Sequence, residues 1–149
     1  MKIEGTFQGQ EQAALLIEAA RVAAQQAYAP YSGFRVGAAL LLKDGSVVTG
    51  TNIENASYGL ALCAERSAVA RAVSEHGPAI RIHAIAVTNL NSAASAPCGA
   101  CRQVLAEFAA PNAWIAFPFG GKLEIRPFSD LLPLAFGLGD QANRNETRR

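Results

Sequence analysis

The residues of this sequence best suited to chemistry are its 3 Cys, which lie in two short segments. Cys63 stands alone, whereas Cys98 and Cys101 are close enough to share one side of the first turn of a helix. Three thiolates are one ligand short of a closed structural zinc site, but they suit a catalytic zinc whose fourth position holds water. Glu65 comes two residues after Cys63, so it can contact that water without binding the metal.

The negative charge of such a site has to be balanced. We predict that helices begin at Cys63 and at Cys98, so that each helix N-terminus brings roughly half a positive charge to the thiolates. Arg66 lies on the first turn after Cys63 and adds a full cation. Thiolates that are partly neutralised donate less to the metal, which remains a better Lewis acid. We therefore assign Glu65 a catalytic role and Arg66 a supporting role beside the ligands, although either residue alone would also fit a solvated helix surface.

The composition indicates one globular domain. The chain has 149 residues, of which 50% are hydrophobic and 17% charged, enough for a single buried core. Its formal net charge of +1 resides in residues 140–149, so the body offers no basic surface to a nucleic acid or an anionic membrane. No apolar run reaches the ~20 residues of a membrane span, and no signal peptide is visible. We expect a cytoplasmic protein with one domain over residues 1–139 and a disordered polar tail over residues 140–149.

Apolar periodicity and turn signals predict an α-β-β-α-β-α-β-β order. Pro30 and Pro133 are expected to end a helix and a helical turn, and Pro111 with Asn112 to form a turn before a strand. This order predicts an α/β fold, a three-layer α/β/α sandwich with a mixed sheet of about five strands. The predicted helices span residues 11–28, 63–74 and 98–108, and the strands span residues 34–42, 47–52, 80–88, 113–117 and 123–126.

The thiol segments Cys63-Ala64-Glu65 and Pro97-Cys98-Gly99-Ala100-Cys101 satisfy the zinc-deaminase signature in its all-cysteine form. From residue 28 to residue 137 the sequence resembles the small, homotetrameric cytidine deaminases. The resemblance implies a cytidine deaminase-like fold, one Zn²⁺ per chain, and a homotetramer whose active sites are shared between subunits. It also implies hydrolysis of cytidine and 2′-deoxycytidine to uridine and 2′-deoxyuridine, with release of ammonia, in pyrimidine salvage. The other matching segments are Tyr31-Ser32-Gly33-Phe34, Val36-Gly37-Ala38-Ala39-Leu40, Asn52-Ile53-Glu54-Asn55-Ala56-Ser57-Tyr58-Gly59, and Leu131-Leu132-Pro133 with Ala135-Phe136.

Residues that would contact the substrate follow from the resemblance. Phe34 would pack against the pyrimidine ring, although its residue type fits a plain core position equally well. Asn52 and Glu54 leave a predicted strand two positions apart, and an amide with a carboxylate can bind two sugar hydroxyls. The family uses these positions on the ribose 3′-OH. Without the thiol segments, an Asx-type turn and a solvated carboxylate would account for the same two residues.

The remaining roles implied by the resemblance belong to residues around the reacting base. The backbone around Ala64 and Ala96 would hold the edge of the base, and Tyr58 would add a substrate contact. Phe136 would close over the base in the site of a neighbouring subunit. In the implied mechanism, Glu65 takes a proton from water, delivers it to N3 of the pyrimidine and relays a proton to the departing amine.

Two other functions remain open from the sequence. The first is a different deaminase of the same superfamily, acting on an antibiotic nucleoside, a purine or a base within RNA. The chain carries no net charge outside residues 140–149, which disfavours RNA as the substrate. The segment around Asn52 and Glu54 favours a free nucleoside. The second is a non-catalytic module with a structural zinc, which would need a fourth protein ligand. We do not expect His76 or His83 to supply it, because neither is adjacent to the thiol segments.

Overall fold

The computed structural model describes residues 9–138, so the predicted tail over residues 140–149 lies outside the described part of the chain. Among these residues, no helix has both the length and the apolar character needed to span a membrane. Two short 3-10 helices occur at Tyr58–Leu60 and Phe128–Leu131. The α-helices are α1 (Gln10–Ala24), α2 (Ala64–His76) and α3 (Gly99–Phe108), and the strands are β1 (Val36–Leu42), β2 (Val47–Thr51), β3 (Ile82–Asn89), β4 (Ala109–Phe119) and β5 (Lys122–Pro127).

The strands form one mixed sheet in the order β2-β1-β3-β4-β5. Strands β3 and β4 are parallel, and the other neighbouring pairs are antiparallel. Helix α3 connects the parallel pair, because parallel neighbours cannot be joined by a tight turn. The predicted order of helices and strands is therefore confirmed.

The helices cover both faces of this sheet. Successive side chains of a strand point to opposite faces, and β1 follows that rule. Ala38 and Leu40 pack in a cluster with residues of α2 and α3. Ala39 and Leu41 pack on the other face with Leu16 of α1. The predicted three-layer α/β/α sandwich with a mixed, five-stranded sheet is confirmed.

Two glycines let helices approach the sheet more closely than any other residue would allow. A Cβ atom on Gly37 of β1 would lie 1.9 Å from the carbonyl oxygen of Ala20 in α1. A Cβ atom on Gly50 of β2 would lie 2.3 Å from the backbone nitrogen of Ala68 in α2. Both contacts are with helix backbone, which cannot rotate away as a side chain can.

The first helix ends at Ala24 rather than at residue 28 as predicted. The N–H of Ala27 donates to the carbonyl of Ala24 in a tighter turn, and Tyr28 then forms a parallel bridge with Ile53. This tertiary pairing draws Tyr28 into an extended conformation. Pro30 therefore does not determine where the helix ends.

The prediction of a separate turn at Pro111 and Asn112 is wrong, because both residues lie inside β4. Strand β3 pairs with β4 at Ala109 and then at Trp114, with a register shift between these positions. Strand β5 also pairs with β4 only from Trp114 onward. Pro111 is tolerated in this irregular part of the strand because no ladder hydrogen bond requires its missing N–H.

The close approach of α1 leads to a test of the fold. Gly37→Ala should lower the free energy of unfolding by about 3 kcal/mol, since the new methyl group meets helix backbone. Gly59→Ala is the matched control, because nothing lies within 4 Å of the position its Cβ would take, and it should change that free energy by less than ~1 kcal/mol. Urea denaturation measures both effects. Equal stability of the two variants would mean that α1 can withdraw from β1 without cost.

Candidate active site

The two thiol segments meet at the N-termini of two helices. Cys63 is the N-cap residue of α2 and Cys98 that of α3, while Cys101 lies in the first turn of α3. Their three Sγ atoms lie within 4.8 Å of one another. Thiolates bound tetrahedrally to zinc at about 2.3 Å are roughly 3.8 Å apart, so a small contraction would complete the site. The donor set therefore fits Zn²⁺.

The surroundings of the thiols favour negative charge at one of them. Hydrogen bonds from the thiols of Cys101 and Cys98, together with the positive charge of Arg66, lower the pKa of Cys63 to about 5 against the opposing effect of burial. The hydrogen bond to Cys63 and burial raise the pKa of Cys101. Arg66 donates from Nη2 to the carbonyl of Ala61 at 2.9 Å, but its buried Nε has no hydrogen-bond partner among the described residues. A guanidinium beside this cluster, with one N–H left without a partner, suits a site that carries excess negative charge when filled.

Glu65 is the acidic side chain next to the thiols and is only 4% exposed. Burial raises the pKa of its carboxyl group, and the negative charge of Cys63 adds to the increase. A carboxyl group with a raised pKa can hold a proton at a pH where an exposed glutamate has lost it. The surroundings of Glu65 therefore suit a group that accepts and returns a proton.

A cavity of about 330 Å³ opens beside Glu65 and the thiols. Its volume lies in the range of small-molecule sites. Cys101 is buried behind the cavity wall and reaches the site through its sulfur. Of the residues singled out from the sequence, the cavity is lined by Phe34, Asn52, Glu54, Cys63, Ala64, Glu65, Ala96 and Cys98.

The side chain of Asn52 also holds the backbone that carries Phe34. Its Oδ1 accepts from the N–H of Val36 at 2.8 Å, and its Nδ2 donates to the carbonyl of Phe34 at 2.9 Å. An amide side chain has a second lone pair and a second N–H, so Asn52 keeps capacity for a ligand. Asn52 is therefore both a lining residue and a support for the aromatic wall.

Glu54 likewise lines the cavity and bonds to the backbone of neighbouring residues. Its carboxylate accepts from the hydroxyl of Ser32, from the N–H of Tyr31 at 2.9 Å and from the N–H of Ser32 at 3.3 Å. The Ser32 hydroxyl and the backbone N–H groups lower the pKa of Glu54. Its carboxylate therefore remains ionised at neutral pH and stays an acceptor for hydroxyl groups.

Two of the residues that the resemblance assigns to substrate contact do not line the cavity of the single chain. Tyr58 is 85% exposed and Phe136 is 70% exposed. Gln103 of α3 donates from Nε2 to the carbonyl of Phe136 at 3.0 Å. This bond ties the segment around Phe136 to the helix that supplies two of the cysteines.

Other lining residues were not singled out from the sequence. They are small or aliphatic and adjoin the motifs, and a search for apolar positions next to the thiol segments and at strand ends would have found several of them. Their part is to exclude water and to shape the walls. They are Val36, Ile53, Ala61, Leu62, Val87, Ala94 and Ser95.

Residues 10–117 match the model of the cytidine and deoxycytidylate deaminase zinc-binding region. The chain belongs to this family. A cytidine deaminase from Halalkalibacterium halodurans is 48% identical over 127 residues, 85% of this chain and 95% of that protein. One from Mycobacterium tuberculosis H37Rv is 48% identical over 118 residues, 79% of this chain and 84% of that protein. The crystal structure of cytidine deaminase from Burkholderia pseudomallei has a TM-score of 0.74 at 46% identity and covers 83% of this chain and 98% of that chain.

Membership of this deaminase family agrees with the chemistry of the site. The family model describes a zinc-binding region, and the structure brings together three cysteine sulfurs that can hold one metal ion. Zinc is therefore the cofactor. A blasticidin-S deaminase from Bacillus cereus is 28% identical over 107 residues, well below the identity of the cytidine deaminases.

The sulfur cluster leads to a test of the metal site. Cys98→Ala should abolish stoichiometric zinc binding, because two thiolates are too few to hold the ion tightly. Ala100→Ser is the matched control, since it alters the same turn of α3 without removing a thiol. Metal analysis of protein purified without chelators measures zinc per chain. Full zinc content in Cys98→Ala would contradict the assignment of this cluster.

Proposed function

We propose that this chain hydrolyses cytidine and 2′-deoxycytidine to uridine and 2′-deoxyuridine and releases ammonia. The observation that carries the proposal is the buried Glu65 beside three cysteine sulfurs at the wall of a nucleoside-sized cavity. A structural zinc site would have no use for a buried carboxyl group at this place. The relatives named cytidine deaminase, at 48% identity over most of the chain, support the choice of base.

In the proposed mechanism Glu65 moves protons between water and substrate. Cys63, Cys98 and Cys101 would hold zinc, which would supply the Lewis acidity that makes water nucleophilic at neutral pH. Glu65 accepts a proton from that water and delivers it to N3 of the pyrimidine, which makes C4 more electrophilic. After the C4–O bond forms, Glu65 takes the remaining proton from the new C4 hydroxyl, which becomes the 4-carbonyl, and passes it to the 4-amino nitrogen. The C–N bond then breaks and ammonia leaves.

Residues around the cavity would orient the nucleoside for this chemistry. We assign Phe34 to the face of the pyrimidine and the backbone around Ala64 and Ala96 to its edge. Asn52 and Glu54 would bind the sugar hydroxyls with the hydrogen-bonding capacity that their contacts to residues 31–36 leave free. Binding energy from the sugar would then help to place C4 against the attacking water.

We further propose a homotetramer whose active sites are shared between subunits. Phe136 and Tyr58 are exposed aromatic residues of the single chain, and Leu60 and Leu134 are exposed as well. Burial of such side chains against a neighbour would remove apolar surface from water. Phe136 of one subunit would then close over the base bound by another and exclude water from the reacting carbon.

The cellular setting of the reaction is also a proposal. Three free thiols that serve as metal ligands suit a reducing compartment, which favours the cytoplasm. There the reaction would return cytosine nucleosides to the uracil pool in pyrimidine salvage. The substrate would be a small free nucleoside, with no part for a nucleic acid or a membrane.

An ammonia-release assay on cytidine, cytosine and blasticidin S tests the substrate. We expect cytidine to be deaminated, cytosine to have a much lower kcat/KM because it lacks the sugar, and blasticidin S to be poorly used. Glu65→Gln is the control, since it keeps the size of the side chain but cannot carry a proton. Turnover should fall by at least ~10² while zinc is retained. Preferential use of blasticidin S, or a fully active Glu65→Gln protein, would overturn the proposal.

Mixing two impaired variants tests the shared site; Phe136→Ala alone should raise KM without removing zinc. Glu65→Gln chains and Phe136→Ala chains are dissociated, combined and reassembled. Some sites should then pair an intact Glu65 with an intact Phe136 from a neighbour, so activity should exceed that of either parent. Each parent reassembled alone is the control. Verified mixed oligomers without recovered activity, or a fully active monomer, would contradict sharing.

A further inference from the structure

Asn91, in the loop between β3 and α3, hydrogen-bonds to the backbone on both sides of Phe34. Its Oδ1 accepts from the N–H of Arg35 at 3.0 Å, and its Nδ2 donates to the carbonyl of Gly33 at 3.2 Å. The side chain thus pairs with an extended segment as the backbone of a neighbouring strand would. Gly33, at the start of this segment, has a φ of 68°, a left-handed conformation that glycine adopts readily.

The opposite edge of the same segment is paired by a second amide side chain. Asn52 bonds to the carbonyl of Phe34 and to the N–H of Val36. In an extended chain, residues 33 and 35 direct their polar groups to one side, whereas residues 34 and 36 direct theirs to the other. Asn91 and Asn52 therefore hold Phe34 from opposite sides.

Asn91 is itself held by a buried residue at the end of β3. Asn89 is 9% exposed. Its Oδ1 accepts from the N–H of Asn91 at 2.8 Å and from the N–H of Ala93 at 3.1 Å, and its Nδ2 donates to the carbonyl of Ala93 at 2.7 Å. The N–H of Leu90 donates to the carbonyl of Arg35 at 3.0 Å. Asn91 therefore belongs to a loop whose position is set by the sheet.

These bonds join two walls of the cavity beside Glu65. Phe34 lines one wall, and Ala94 and Ala96 line another from the loop that contains Asn91. We propose that Asn91 is a positioning residue, which acts through Phe34 to set how tightly this cavity holds a pyrimidine nucleoside. The proposal rests on the proposed function of the site. It concerns the binding of the base, whereas proton transfer remains with Glu65.

Kinetics of Asn91→Ala test this role. KM for cytidine should rise about fivefold to tenfold, the effect expected when two ordinary hydrogen bonds stop holding the aromatic wall. The kcat should stay within about twofold, and zinc content should not change, since neither Glu65 nor a thiol is touched. Asn112→Ala is the matched control, an exposed asparagine at the far end of the sheet, and should leave KM unchanged.

A double-mutant cycle separates positioning from a general structural role. In a Phe34→Ala background, Asn91→Ala should have almost no further effect on KM, because the group through which it acts is gone. An undiminished effect in that background, or an unchanged KM in the single variant, would overturn the proposal.

Amide exchange keeps this test separate from that of the proposed function. The Arg35 N–H should exchange faster in Asn91→Ala than in the native chain or in Asn112→Ala. If the native chain failed to deaminate cytidine, the proposed function would fail, and the positioning of Phe34 would still be decided by this exchange and by the dissociation constant for cytidine in Asn91→Ala. Equal exchange of Arg35 in all three proteins would overturn the proposal regardless of activity.

Discussion

The structure depends on the electrostatic cost of bringing three cysteine sulfurs close to a buried carboxyl group. Ionised groups of one sign repel one another, and burial removes the water that would otherwise stabilise them. Two helix N-termini and the guanidinium of Arg66 offset this repulsion. The hydrogen bond from Cys101 and, to a lesser extent, Arg66 lower the pKa of Cys63. This arrangement of the N-termini requires α2 and α3 to begin at the same edge of the sheet. Gly50 contributes by letting α2 lie directly against β2.

The aromatic wall of the cavity depends on a different kind of interaction. Residues 31–35 precede β1, and the polar backbone groups from residue 31 to the first residue of β1 are paired largely by side chains of Asn52, Glu54 and Asn91. A neutral hydrogen bond such as those of Asn52 and Asn91 contributes about 1 kcal/mol, far less than a packed core residue. The metal side of the site is therefore built on helices, whereas the substrate side is held by polar contacts. The side chains of Asn52 and Glu54 support this wall, and the same side chains are proposed to bind the sugar.

Features that depend on neighbours within one helical turn could be predicted from the sequence. The spacing of Cys98 and Cys101 indicated a shared ligand site, and the structure places both at the start of α3. Features that depend on pairing between residues far apart in the sequence could not be predicted. Tyr28 leaves the helical conformation because it pairs with Ile53, and Pro111 remains within a strand because the register of the sheet shifts there.

The sequence by itself determined the donor set, the order of helices and strands, and the family resemblance, because residue types and short spacings carry that information. Only the tertiary structure decided that Glu65 is 4% exposed and that its pKa is raised, since burial depends on the whole sheet and its helices. It also decided that Asn91 meets Gly33, 58 positions away along the chain. Such contacts form only when the loop after β3 and the segment before β1 are brought together by pairing of their strands, and no local pattern specifies that meeting.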